Sequence, residues 1–340
     1  MKQKRLLFTA IGLIAVVLAN ATTWRINPNP TAKAQYKTVA EAMDDVYVQP
    51  GDTLLLDAGS HGDVNISKEN ITVIGTGYLL DQNKNWSEND QTFISTAILN
   101  AQHGTIEGCS ANGISTSGHC TVRRCKANSI SASDYSVVEQ SLTNSISVNS
   151  FCNVKNNIIL GTVFSPWYSS EGIVIENNTI ITSAPYESGA TPLNINPGNN
   201  CIVRNNIILN TCTDLNNNLV PASSSWVYPS ELPGVSMYNN ITSIAPEHKD
   251  SKYNNHDIGA TVESVFVNAG SDDGKWKLSA NSPAKGAASD EGDCGAFGGR
   301  TPYVLSGIPQ FIPHITKIEV PTRPTDGKIT IKLKIENQDE

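Results

Sequence analysis

One interval constrains this chain more than any other feature: sixteen residues. The tetrapeptide "NSIS" starts at Asn128 and again at Asn144, and "NGIS" starts at Asn112. Ile98, Ile114, Ile130 and Ile146 keep the same interval, as do Ile106, Val122, Val138 and Val154. Between these anchors the chain is rich in Ser, Thr, Asn and Gly and poor in helix formers. A helical repeat would need longer apolar-periodic runs. A fixed period with β-branched anchors predicts stacked strands, an all-β solenoid of the parallel β-helix type.

The second anchor column continues at looser spacing. "VKNNII" at Val154 returns as "IENNTI" at Ile175, "VRNNII" at Val203 and "MYNNIT" at Met237, at intervals of 21, 28 and 34 residues. The coil phrase stays constant while a connecting loop lengthens, which is how insertions enter solenoids. Asn157, Asn178, Asn206 and Asn240 thereby share a column, where amides stacked about 4.8 Å apart donate and accept along a ladder. Cys109, Cys125 and Ser141 hold that column in earlier coils. Cys120, Cys152 and Cys201 share another, and buried thiols stacked as small hydrophobes account for them better than disulfides or metal ligands. Cys109 and Cys125 are the one pair to examine for a bond. The residues after the anchors read Glu107, Arg123, Glu139, Lys155, Glu176, Arg204 and Tyr238. Opposite signs on adjacent strands contribute roughly 0.2–1 kcal/mol each, and their alternation supports a register derived without it.

Both ends depart from the repeat. Lys2, Lys4 and Arg5 precede an apolar run over residues 6–18, and Ala19-Asn20-Ala21 has the form of a cleavage site. The run is too short to span a bilayer, so residues 1–21 read as a secretory signal peptide and the mature chain as exported and soluble. No cysteine lies near the cut to carry a lipid anchor. Without those three basic residues the net charge of −8 becomes −11, which leaves no electrostatic footprint for nucleic acid. "TVAEAMDDV" places Thr38 and Glu41 in a capping box, with Val39, Ala42, Met43 and Val46 on one face of a short capping helix. The solenoid is expected over residues 22–300, with the glycine-rich stretch 278–299 as its last turns. Pro302, Pro309 and Pro313 then mark a linker, and residues 328–335 alternate polar and apolar as a C-terminal β-hairpin with one face to bury, docked on the solenoid as a cap.

Taken together, "TVAEAMDDV…GDTLLL", the repeated "NNI" coils and "SPAKGA…DCGAFGG" resemble the exported right-handed parallel β-helix proteins of the pectate-lyase-like group. "GAFGG…PYVLSGIP" is closest to members of Bacteroidetes type. The resemblance covers most of residues 24–310. It implies a right-handed coil and, for the group's enzymes, polysaccharide lyases, hydrolases or esterases acting on acidic glycans.

Long loops in a compact domain are more often functional than not, and here they span 162–173, 182–201 and 210–235. They carry Trp167, Tyr168, Tyr186, Trp226 and Tyr228 as candidate sugar-binding faces, beside the carboxylates Glu171, Glu187, Asp214 and Glu231. A lyase would need Ca²⁺ to neutralise a uronate and a base to take the proton α to its carboxyl group. Lys155 and Arg204 are the outward bases, flanked by Glu139 and Glu176, although the charge ladder already accounts for all four. An inverting hydrolase would need two carboxyls about 6.5–9.5 Å apart, drawn from Glu171, Glu187, Asp214 and Glu231. The polygalacturonase phrases "GHG" and "RIK" are absent, and the six histidines have no metal-ligand spacing. The expectation is therefore a protein that binds or processes polysaccharide, with a non-catalytic structural or adhesive envelope protein as the alternative.

Overall fold

The computed structural model describes residues 21–84, 87–165, 170–183, 191–195, 200–211, 227, 234–248, 254–309, 314–321, 323 and 328–336. Among the described residues twenty-one strands pair in parallel within one sheet, which makes the chain an all-β parallel β-helix. Each sixteen-residue coil supplies a short strand such as Thr121–Arg123 and a long one such as Lys126–Ala132. Among the described residues no helix is long and apolar enough to cross a membrane.

The short strands stack from Thr23–Ile26 through Thr53–Leu56 and Thr72–Ile74 to Cys201–Arg204 and Val235–Thr242. Their central residues Leu54, Val73, Ile106, Val122, Val138, Val154, Ile175 and Val203 are fully buried. In the long-strand column one anchor differs from expectation. Ala97, not Ile98, pairs with Ile114, and Ile98 lies opposite Ser115 with 37% exposure. An offset of one residue reverses the face a strand side chain takes, so the smaller Ala97 goes inside.

The amide ladder forms as expected and runs one coil further. Asn157 Nδ2 donates to Asn178 Oδ1 at 3.0 Å, Asn178 to Asn206 at 3.0 Å, Asn206 to Asn240 at 2.9 Å and Asn240 to Asn255 at 2.7 Å. Cys109, Cys120, Cys125, Cys152 and Cys201 are all free and buried, including the pair considered for a bond. Burial pushes the Cys125 thiol up to about 12, so it stays a neutral core group.

The helix Val39–Asp44 buries Val39, Ala42 and Met43, and Thr38 Oγ1 accepts from Glu41 N at 3.2 Å. The helix stops before Val46, which is exposed rather than on the buried face.

Residues 278–299 do not form last turns. After the strand Asn254–Asp257 the chain leaves the coil, and residues 287–309 run back along one corner of the solenoid as a strap. Each coil contacts it in turn. Asn239 Nδ2 donates to Ala287 O at 3.2 Å, Asn205 Nδ2 to Ser289 Oγ at 3.2 Å and Asn177 Nδ2 to Asp293 O at 3.4 Å. Asn156 Nδ2 donates to Ala296 O and Gly298 O, Gln140 Nε2 to Pro302 O at 2.7 Å and Arg124 Nη1 to Ile308 O at 3.2 Å. These six side chains occupy equivalent positions, and all six residues have φ between 52° and 58°. The left-handed turn thus aims one polar group per coil at the strap's backbone.

Beneath the strap lies an outward apolar stripe. Leu142, Ile158, Ile181, Ile207, Leu209 and Ile241 form a second core with Ala284, Ala288, Cys294, Ala296 and Tyr303. The small strap residues let its backbone lie close: a Cβ at Gly295 would sit 2.5 Å from Ile207 Cδ1. At about 1.5–3 kcal/mol per fully buried large side chain, this stripe needs its cover. The fully buried Asp273 fastens the far end, accepting from Asn83 Nδ2 at 2.9 Å, Ser306 N at 2.8 Å and Tyr303 OH at 3.3 Å.

The C-terminal strands His314–Glu319 and Lys332–Glu336 pair antiparallel as expected. The apolar face expected to dock on the solenoid is open where it is described, with Ile329, Ile331 and Leu333 each more than half exposed.

Candidate functional site

The outward bases considered for lyase chemistry are both committed to neighbours. Lys155 Nζ lies 3.0 Å from Glu139 Oε2, and Arg204 Nη2 lies 2.7 Å from Glu176 Oε2. Arg204 Nη1 also donates to Tyr238 OH at 3.3 Å. The bonds to Glu176 and Tyr238 raise the Arg204 pKa further, which opposes its use as a base. With Arg123 2.7 Å from Glu107, the charge ladder resolves into three ion pairs on successive coils. Glu171 is exposed, and its carbonyl accepts from Phe151 N at 2.7 Å. Trp167, Tyr168, Tyr186, Glu187, Asp214, Trp226, Tyr228 and Glu231 lie outside the described residues. Among the described residues no three His, Cys, Asp or Glu side chains are grouped to hold a metal.

A different surface feature is built by the second turn of each coil. Gly51, Asn70, His103, His119, Tyr135, Phe151, Gly172, Asn200 and Gly234 hold equivalent positions, all with positive φ. Gly and Asn adopt this conformation readily, whereas other L-residues pay about 1–2 kcal/mol. Four consecutive coils nonetheless place rings there. His119 stacks on Tyr135 at 4.8 Å and 4°, Tyr135 on Phe151 at 4.8 Å and 11°, and His103 meets His119 at 5.1 Å and 31°. Each stacked pair returns about 0.5–1.5 kcal/mol. All four rings are exposed, and the row ends where Gly172 takes the next position, close against the Phe151 ring. The sixteen-residue interval was the signal for this row; three different residue types in one column obscured it.

Next to the row, the outward face of the long strands is polar and almost uncharged. Asn112, Asn128 and Asn144 are exposed at one position per coil, and Ser115, Ser131 and Ser147 align beside them. The face repeats an amide and a hydroxyl along the solenoid axis at strand spacing, about 4.8 Å.

A cleft of about 420 Å³ opens at the first coils, lined by Asn27, Leu55, Leu56, Asp57, Ala58, Gly75 and Thr76. Asp57 accepts from Arg25 Nε at 2.9 Å and Nη2 at 2.7 Å, and from Asn27 Nδ2. Burial alone would raise this carboxyl, but those bonds hold it below the usual carboxylate range. His61 Nε2 lies 2.7 Å from Asp57 O, and its Nδ1 is buried without a partner. The cleft follows on from the strap groove: Gly108, against which Pro309 packs, also borders Gly75.

Compared with models of known protein families, with curated proteins and with solved structures, the chain matches none.

Proposed function

We propose that this chain is an exported β-helix that binds a hydroxyl-rich polysaccharide along the outward face of its long strands. The observation that carries the reading is the axial repeat of Asn112, Asn128 and Asn144 beside Ser115, Ser131 and Ser147, bordered by the ring row. Exposed amides and hydroxyls exchange water for sugar hydroxyls at little cost, and a repeating face suits a repeating ligand. The net charge of −8 disfavours polyanions unless a cation such as Ca²⁺ bridges them.

Affinity electrophoresis against a panel of neutral and acidic polysaccharides, with and without Ca²⁺, tests this. Retardation by a glycan should be lost in the N112A/N128A/N144A variant while its melting temperature holds. Retardation that survives the triple change would move the binding surface elsewhere. Calcium-dependent absorbance of unsaturated uronates would support the finer reading, a lyase of pectate-lyase-like type. New reducing ends alone would support a hydrolase using Glu171 and the loop carboxylates.

A second reading rests on the hairpin, whose exposed Ile329, Ile331 and Leu333 suit an assembly or adhesive role. Light scattering that shows self-association of the whole chain, abolished by charged residues at those three positions, would favour it.

A further inference from the structure

We propose that His103 and His119 form a two-imidazole site for a divalent transition-metal ion, tightest for Cu²⁺ and weaker for Zn²⁺. The two residues leave equivalent turns of consecutive coils with φ of 62° and 61°, so their side chains run side by side. Both are exposed, and neither ring takes a hydrogen bond among the described residues. Their ring centroids are 5.1 Å apart. Imidazole is the ligand that Cu²⁺, Ni²⁺ and Zn²⁺ share, and Cu²⁺ leads the affinity order.

Ring geometry separates this pair from the rest of the row. The pairs His119–Tyr135 and Tyr135–Phe151 lie within 4° and 11° of parallel, as stacking favours, whereas the His103 ring is tilted by 31°. The coil before His103 carries Asn70, which offers no ring to hold the outer face of His103. One ligand is therefore fixed and the other free to turn. Two nitrogens on one ion must lie within roughly 4.2 Å, twice a metal–nitrogen bond of about 2.1 Å. Each nitrogen lone pair lies in its own ring plane, so with centroids 5.1 Å apart the His103 ring has to turn about its side-chain torsions to aim a nitrogen at an ion held by His119. Only two protein donors converge, so the ion's other positions stay open to water or to a donor on a bound molecule.

The site is independent of any glycan. Calorimetric titration of the whole protein with Cu²⁺ in a non-coordinating buffer should give one tight equivalent, and Ca²⁺ should give none there. The electron paramagnetic resonance spectrum of the copper complex should show coupling to two imidazole nitrogens. His103→Phe and His119→Phe each keep a ring in the row, so melting should be preserved while copper affinity falls by about tenfold or more. Equal copper affinity in the double variant H103F/H119F, or a parent that binds no tighter than H103F, would overturn the assignment.

Discussion

Asn205 grips Ser289 twice, donating from Nδ2 to Ser289 Oγ at 3.2 Å and accepting from Ser289 N at 2.9 Å through Oδ1. The two residues are 84 positions apart, and the contact is one tooth of the zipper that fixes the strap to the coils. Asn205→Gly keeps the positive φ of 58° and removes both bonds, so it should lower stability by about 1–3 kcal/mol in urea unfolding. Asn205→Ala should cost roughly 1 kcal/mol more, from the left-handed backbone. A glycine variant as stable as the parent would mean that this tooth does not hold the strap.

The amide ladder should be the costliest polar element to break. Asn178 is fully buried and bonds to Val154 O at 2.8 Å and Asn206 Oδ1 at 3.0 Å, while Asn157 N and Nδ2 both depend on its Oδ1. Asn178→Ala orphans groups in two neighbouring coils, and about 2–3 kcal/mol should be lost. The exposed Asn128→Ala, in a neighbouring column, should stay within about 0.5 kcal/mol of the parent. Equal losses from the two changes would refute the ladder's role.

The charge ladder should contribute little. Lys155 and Glu139 retain 26% and 14% side-chain exposure, so Lys155→Met should cost under about 1 kcal/mol. Melting curves at low salt and in 1 M NaCl check this, because the difference from the parent should shrink as salt screens the pair. A loss of several kcal/mol that salt leaves unchanged would point instead to a packing role for the lysine stem.

Acid should unfold the first coils, and two groups set the window. Burial alone would raise the Asp52 carboxyl, but Gln49 N, Trp24 Nε1 and Thr22 N hold it below the usual carboxylate range. A depressed folded pKa stabilises fully above the unfolded value, about 3.9, and the contribution is lost as pH falls through the folded value. The advantage of the parent over Asp52→Asn should therefore be constant near neutrality and narrow below about pH 4. His61 adds an earlier loss of the same sign. Burial favours its neutral form, so stability should begin to fall once pH drops below about 6.5. Stability of the parent measured from pH 7 to 3 should show both steps, and a flat profile from pH 7 to 5 would exclude the contribution of His61.

The repeat was legible because each coil's environment is the next coil. A residue such as Val138 meets Val122 and Val154 at the same position, so the demand for a β-branched core side chain is written at a fixed interval. The amide ladder and the alternating charges were readable for the same reason, since like positions contact like positions. The ring row was written in that interval too, although His, Tyr and Phe share only a shape and not a chemical class. The candidate site was less legible: of the loop residues named for it, Glu171 is described and exposed, while the strand residues Lys155 and Arg204 are ion-paired with Glu139 and Glu176.

Sequence by itself determined the parallel solenoid, its core columns, its amide ladder and its short N-terminal helix. Tertiary structure decided what lies outside the coils. The strap pairs Asn156 with Ala296 and Gln140 with Pro302, contacts between unlike segments that carry no period. Register at Ile98 was likewise settled in space, because an isoleucine satisfies the pattern while Ala97 satisfies the pairing. Repetition records contacts between equivalent residues, and only packing records contacts between residues that are not equivalent.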